Sequence, residues 1–469
     1  MQHSHISTWR GAEKSASFAA LECTLPDAIA PEPSKGTWLD EWLDLREPEG
    51  QALTSEVLAL TAAFETRVRK RRQEAQICHQ IIVRRILANG LRCHHFRRPS
   101  LVSYYRKADG YKDSPPWLSG EAMSRTVDLL VAAGLLDGTR GQRRGFASTY
   151  SITDRLCEIA IACGVTDNSF STLRLPLKRL VRLREGNYET PEVAFPQTAE
   201  TIRWAALVRA YNAFLAQQDI SLPLTADEKA KWVRHWNNDK KEGAVLLCQP
   251  ELFQTDLYRQ FANGSFGAGG RLYGGWWINT PKALRRKIAI NGQATVELDF
   301  SGCAIRMLYH ERGLDYRDDP YQLGAIVAYE AEAGLPPSHF REGVKAMTQA
   351  LINDRDGKRP DLIRLPDGLS FYPRFKRSEV RRMIEEKHAP IVDAFGTGAG
   401  LRLQRIDSDL ALAIITKLMR QKVVALPIHD SFLVGEQDEV TTHSTMNEVY
   451  RDKLGFAPLI NRIYPGPLI

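Results

Sequence analysis

The sequence predicts an α+β fold: an antiparallel sheet with aspartates at its strand ends, preceded by a mainly helical region. Three stretches carry that expectation. Val296-Glu297-Leu298-Asp299-Phe300 reads as an apolar strand that delivers a carboxylate at its end. A small-residue turn, Ser301-Gly302, and a helix follow it. Val423 to Val434 reads as two strands meeting at a tight turn, with His429-Asp430 at the tip. Leu118 to Ile152 reads as a helix, a glycine stop, an arginine-rich hairpin tip and a return strand.

The bulk composition narrows the class. The chain has 469 residues, room for two to four domains of ~100–200 residues each. It is 43% hydrophobic and 25% charged, the balance of a globular protein. A formal net charge of +7 suits a phosphate-rich partner, although many non-binders share it. Seven scattered cysteines do not make a disulfide framework, and a reducing cytoplasmic setting fits them better. No run approaches ~18 consecutive apolar residues, and the N-terminus lacks a signal-peptide layout, so no membrane association is expected.

Taken in order, residues 1–52 read as a loosely ordered N-terminal arm. Residues 53–165 form a helical region ending in the winged-helix-like segment. Leu53 to about Leu91 has helical periodicity interrupted in composition by the basic run Arg67 to Arg72. A charge run of this kind is more often a solvated helix face than a binding patch. Cys78-His79 and Cys93-His94-His95 carry metal-ligand chemistry, but their spacing matches no standard zinc finger. Ser119 opens the next helix, with Met123, Val127 and Leu130 on one face, and Gly134 closes it. Ser124, Arg125 and Asp128 are expected on its exposed face. The hairpin tip then carries Arg140, Arg143 and Arg144. With Arg125, these make a winged-helix DNA-binding surface the favoured reading, because arginine forks suit phosphate. A winged helix used only for protein docking is the alternative.

Residues 166–250 read as a helical linker, with a helix at Ile202–Ala216 and a capping box, Thr225 to Glu228, opening another. Residues 251–469 hold the chemistry. Phe266 to Arg271 is a glycine-rich run ending in arginine. Asp299 and Asp430, at the ends of strands in one sheet, form the minimal cage for a pair of hard divalent cations. Mg²⁺ takes one or two carboxylates plus substrate phosphates, and two ions ~3.5–4 Å apart clamp the oxygens of a phosphoryl transfer. Phe340 to Asn353 reads as a helix with Arg341 and Lys345 on one face. Leu401 to Asp409 is expected to lead into a helix at Leu410–Lys422.

These residues carry a family resemblance. Asp299-Phe300-Ser301 with Ile305-Arg306 resembles the first palm motif of family A DNA polymerases. His429-Asp430-Ser431-Phe432 resembles the second palm motif of phage-type single-subunit RNA polymerases. Gly270-Arg271-Leu272-Tyr273 and the Arg341/Lys345 pair are similar to two further segments of both families, in the same order. The resemblance runs from Leu252 to the C-terminus and implies a right-hand palm and fingers with an antiparallel palm sheet, residues 166–250 then being a reduced thumb.

It also implies roles. Asp299, Asp430 and the Phe300 carbonyl would hold two Mg²⁺ ions, with Mn²⁺ as a substitute, and His429 would sit near the primer terminus. Arg341 and Lys345 would neutralise the β- and γ-phosphates, with Tyr321 lining the nucleotide pocket. Arg271, Gln404 and Arg405 would face the template-primer duplex. Two departures matter. Family A DNA polymerases carry a glutamate five residues after the motif aspartate, and its bulk excludes a ribose 2′-hydroxyl. This chain has Ala304, which leaves that space open. Both families place Tyr-Gly where this chain has Asn353-Asp354, so the aromatic beside the incoming base is replaced. The expectation is a ribonucleotide-tolerant, template-directed nucleotidyltransferase, primase- or RNA-polymerase-like. Its partners would be a DNA template, NTP or dNTP, and an accessory replication protein. Its size and domain pairing suit priming in a mobile element. A primer-extending DNA polymerase and a catalytically idle DNA-binding regulator are the rivals.

Overall fold

A computed structural model describes residues 36–463 except 67–68, 99, 107–110, 112–117, 142–146, 172–176, 187–189, 239–246, 249–250, 356–362, 364 and 366–367. Most of the expected N-terminal arm, and Arg143 and Arg144 of the hairpin tip, therefore lie outside the described residues. The chain is a mixed α+β protein of two compact units. One comprises residues 1–175 and 224–255, the other 176–223 and 256–469.

The first unit is built on two helices, α1 (Glu49–Thr61) and α2 (Gln73–Phe96). The sequence suggested one continuous helical pattern; the break falls at the basic run. Cations at a helix N-terminus oppose the macrodipole, and α2 starts only after Arg72, with Glu74 in its first turn. A four-stranded sheet packs on α2. Its members are β1 (Thr37–Trp38), β2 (Val102–Tyr104), β3 (Leu136–Thr139) and β4 (Ser148–Ile152), in the spatial order β1-β2-β4-β3. The helix α3 (Gly120–Ala132) precedes β3. Ser119 caps it by accepting from the Ala122 N–H at 3.2 Å. Gly134 ends it in the left-handed region (φ 67°), where a side chain would be strained. Met123, Val127 and Leu130 are buried in the core with Ile86, Leu87 and Tyr150. Ser124 is buried too, contrary to the expected exposed face, because it shares the stripe that holds Met123 and Val127.

The zinc question has a geometric answer for one arrangement. Cys78 and Cys93 lie on the same helix, fifteen residues and ~22 Å of rise apart, so they do not converge on one ion. Cys93 is buried, which pushes its thiol up to about 11.

The second unit contains a six-stranded antiparallel sheet. Its centre is β7 (Gln293–Phe300), with β8 (Ala425–Ile428), β9 (Ser431–Gly435) and β10 (Ile460–Ile463). Strand β9 lies between β8 and β7, and β10 pairs with the other side of β7. The expected strand pair around His429-Asp430 is thus present. A smaller sheet holds β5 (Tyr258–Ala262) and β6 (Ser265–Tyr273), with Val181–Leu183 parallel to β5. Helices α4 (Ala199–Leu215), α5 (Cys303–Glu311), α6 (Arg341–Asn353), α7 (Gly400–Arg420) and α8 (Glu439–Leu454) are among the helices of the unit. Helix α7 starts ten residues before the expected Leu410. Asp407, Ser408 and Asp409 read in isolation as a helix-start signal. Their side chains instead bond to Arg271 and Arg259, and the backbone stays helical through them.

Phe432 is fully buried in β9, next to the turn that carries Asp430. Truncation to alanine removes a ring from a packed sheet core, so Phe432→Ala is expected to cost about 3–5 kcal/mol. Urea unfolding followed by intrinsic fluorescence reads this; a loss below ~1 kcal/mol would mean that the site collapses around the missing ring.

Candidate functional site: a carboxylate-lined cavity

Sheet register brings the two aspartates together. Asp299 on β7 sits opposite Ser431 on β9 and opposite Asn461 on β10. The Phe300 N–H donates to the Asp430 carbonyl at 3.3 Å. Asp430 follows His429 in a two-residue turn closed by the Ile428–Ser431 pair. His429 takes φ 59° there, a conformation that favours glycine at the first turn position. A β-carbon in that region costs ~1–2 kcal/mol, which the surrounding sheet must hold in place.

Both aspartates line one cavity of about 490 Å³. Burial, then the nearby Asp430 and Glu297, push the Asp299 carboxyl up to about 7. Glu297 itself accepts from the Ser431 hydroxyl at 2.8 Å and from Arg285 at 3.0 Å. Like charges crowded in a half-buried pocket call for a cation. The donors are hard oxygens, the set that Mg²⁺ or Mn²⁺ prefers. Asp299 and Asp430 fit such an ion, and Phe300 lines the same cavity. Among the described residues no group of three or more His, Cys, Asp or Glu side chains is arranged as a metal cage. The remaining ligands of a hard cation would then be water or substrate oxygen.

Two helices supply the walls with helical period. From α6 come Arg341, Lys345, Gln349, Ile352 and Asn353; from α7 come Gly400, Leu403, Gln404 and Asp407. The expected residues Arg271, Ala304, Tyr321, Arg341, Lys345, Asn353 and Gln404 all line the cavity. His429 and Arg405 do not. Burial, then Arg271, depress the His429 imidazole to about 4, so it is neutral at pH 7. Arg405 is turned onto the rings of Trp204 and Phe261 and donates to the Phe266 carbonyl at 2.7 Å.

Individual side chains are held from outside the cavity. Arg341 forks onto Asp319 at 2.7 and 3.3 Å, and Asp319 also accepts from the Tyr321 N–H at 2.9 Å. The Arg341 guanidinium lies 5.2 Å from the Tyr321 ring centroid. Lys345 is half exposed, 3.7 Å from Glu342. Asn353 donates to the Gln349 carbonyl one turn back, at 2.7 Å. The sequence reading missed Asp407, Gln349 and Asn461. The first two were within reach: extending the face of Arg341 and Lys345 by four residues gives Gln349, and extending that of Gln404 by three gives Asp407.

In the first unit, Arg125 and Arg140 are exposed. Arg125 pairs with Glu121 one turn away, and Arg140 with Asp128, which also binds Arg106. A second cavity of about 340 Å³ is lined by Arg71, His79, Ser119 and Arg125. No helix among the described residues is long and apolar enough to cross a membrane.

No family model matches the chain, and no curated protein matches it. Among solved structures, the POL domain of Pol1 from M. smegmatis, in complex with DNA primer-template and dNTP, aligns at 11% identity with a TM-score of 0.29. The alignment covers 90% of this chain and 66% of that one.

The Asp299 carboxyl, at about 7 when folded, sits above its unfolded value of ~3.9. The folded state then holds the extra proton between those values, so this group's contribution to stability is lost as pH rises from ~4 through ~7. In metal-free protein, carboxyl NMR is expected to show Asp299 titrating near pH 7, and Asp430→Asn to lower that midpoint. An unchanged midpoint in Asp430→Asn would remove Asp430 as a cause.

Proposed function

We propose that the second unit is a template-directed nucleotidyltransferase of the family A polymerase and single-subunit RNA polymerase type, primase- or RNA-polymerase-like and tolerant of ribonucleotides. One observation carries the reading: Asp299, from the end of a strand, and Asp430, from a hairpin turn, line the same cavity as Arg341 and Lys345, from one helix face. Acids for a metal at one wall and cations for a polyphosphate at the other are what nucleotide addition requires. Asp299, Asp430 and the Phe300 carbonyl would hold two Mg²⁺ ions, with Mn²⁺ as a substitute. When bound, the ions would supply the charge that activates a 3′-hydroxyl and neutralises the leaving pyrophosphate.

The protein residues then divide the remaining work. Arg341 and Lys345 receive the β- and γ-phosphates, Arg341 exchanging part of its contact with Asp319 for phosphate oxygen. Ala304, half exposed in the cavity wall, leaves space for a 2′-hydroxyl. Asn353 offers an amide where the related families stack an aromatic ring, and Gln349 lines the cavity one turn before it. Arg271 and Gln404 face the template-primer duplex. Arg405 and His429 serve the frame: one packs α7 on α4 and β5, the other shapes the turn that carries Asp430. Arg125 and Arg140 of the first unit, with Arg143 and Arg144 of the hairpin tip, contact DNA phosphates in a winged-helix manner. Priming for a mobile element, with an accessory replication protein, suits this pairing of modules.

Incubation with labelled NTP or dNTP, Mg²⁺ or Mn²⁺, and single-stranded DNA with and without primer tests the reading. Wild-type protein is expected to incorporate NTP, and Asp299→Ala or Asp430→Ala to reduce this by about a thousandfold or more, the scale of losing a preorganised charge-stabilising group. Incorporation that survives both substitutions would place the chemistry elsewhere, and inactivity of wild type with every template and metal would favour a DNA-binding regulator. Ala304→Glu is expected to depress NTP use selectively, lowering the NTP-to-dNTP ratio of kcat/KM at least tenfold on a bulk-exclusion argument. An unchanged ratio would mean that the sugar lies away from Ala304.

A further inference from the structure

We infer that Asp407 is the positioning residue that aims Arg271 into the cavity. The inference rests on the reading above, in which the cavity takes a template-primer duplex. Arg271, near the end of β6, donates from Nε to Asp407 Oδ2 at 2.9 Å. Among the described residues this is the one hydrogen bond its side chain makes. A guanidinium carries five N–H donors in a rigid plane. With Nε committed to Asp407, the four terminal N–H groups are left for the cavity that Arg271 lines. A single side-on bond sets the plane of the fork without consuming its end.

The strand beneath is held by different groups. Arg259, fully buried, donates from Nε to the Gly270 carbonyl at 2.8 Å and from Nη2 to Ser408 and Asp409, both at 2.7 Å. The Ser408 hydroxyl lies 2.9 Å from the Arg405 carbonyl and 3.3 Å from the Gly269 carbonyl, and its one proton serves one of the two at a time. Gly270 takes φ 85°, and a β-carbon there would meet Phe261 at 2.7 Å and Ser408 at 2.8 Å, so the strand presses directly on α7. Three successive residues of α7 therefore do two jobs. Ser408 and Asp409 fix the backbone, and Asp407 fixes the side chain. Loss of Asp407 frees the guanidinium while the strand stays clamped. Burial disfavours the Arg271 charge, but Asp407 and Asp430 outweigh it and hold the group charged. Asp407 itself is almost wholly buried, with side-chain exposure of 3%. Its direct partner is Arg271, so it acts on a bound molecule through that side chain.

A double-mutant cycle on primer-template DNA binding tests this, by fluorescence anisotropy with full-length protein. Arg271→Ala is expected to weaken binding about tenfold, the scale of a hydrogen bond to a charged group. Asp407→Ala is expected to weaken it about as much, and the double variant no further than Arg271→Ala alone. Asp407→Asn, which keeps an acceptor oxygen, is expected to restore most of the affinity. In primer extension the Asp407→Ala loss should appear in KM for DNA with kcat near wild type. Additive losses in the cycle overturn the inference, as do a neutral Asp407→Ala or a neutral Arg271→Ala. Should Asp407→Ala fail to fold, Asp407→Leu, of similar size but without an acceptor, replaces it in the same cycle, with coupling supporting the inference and additivity overturning it. The binding assay needs no turnover. DNA binding without nucleotide addition by wild type would tell against the preceding reading alone; absence of DNA binding overturns both.

Discussion

Antiparallel pairing of Gln293–Phe300 with Ser431–Gly435 is the constraint on which the site depends. Side chains alternate across a strand, so a slip of one residue would send Asp299 to the opposite face. The register is held on both sides: Asp299 faces Ser431 on one neighbour and Asn461 on the other. Buried Val296, Leu298, Phe432 and Val434 make any slip expensive in apolar exposure. The same pairing leaves Asp430 and Glu297 close enough to raise the proton affinity of Asp299. The sheet thus carries an unfavourable charge arrangement at the end of its central strand, which a bound cation would relieve.

The opposite wall is made differently. Helices α6 and α7 present one or two residues per turn to the cavity, so the polarity of that wall follows from helical period. Two cationic side chains at the cavity have an acid behind them: Asp319 behind Arg341 and Asp407 behind Arg271. Such pairs restrict rotamers before any ligand arrives, which lowers the ordering cost of binding. Buried arginine also requires a counter-charge. Arg259, driven down to about 10 mainly by burial, shows how strongly desolvation opposes the charged form even beside Asp409.

The legible parts of the site were those coded over short distances. Asp299 and Asp430 stood at the ends of apolar runs, and Arg341 and Lys345 stood four residues apart. Gly134 and the Thr225 to Glu228 capping box also read directly; Thr225 and Glu228 exchange the expected bonds at 3.1 and 3.3 Å. Asp407 did not read as part of the site, because an Asp-Ser-Asp run usually marks a helix start. Its meaning lies in Arg271 and Arg259, more than a hundred residues earlier in the chain. Ser124 misled for a related reason: a small polar residue on a helix gives no sign of which stripe will be covered. His429 and Arg405 carried functional side chains in suggestive places, and packing turned both toward the frame.

By itself the sequence determined the local elements: strand alternation, helix caps and the residue types available for chemistry. Those follow from forces acting within a few residues, and they survive wherever the segment is placed. Only the tertiary structure decided which carboxylate meets which, that Arg271 is tethered by Asp407, and which helix faces close the cavity. Strand register and long-range ion pairs are chosen by the burial of whole surfaces at once, and no short stretch of chain contains that information.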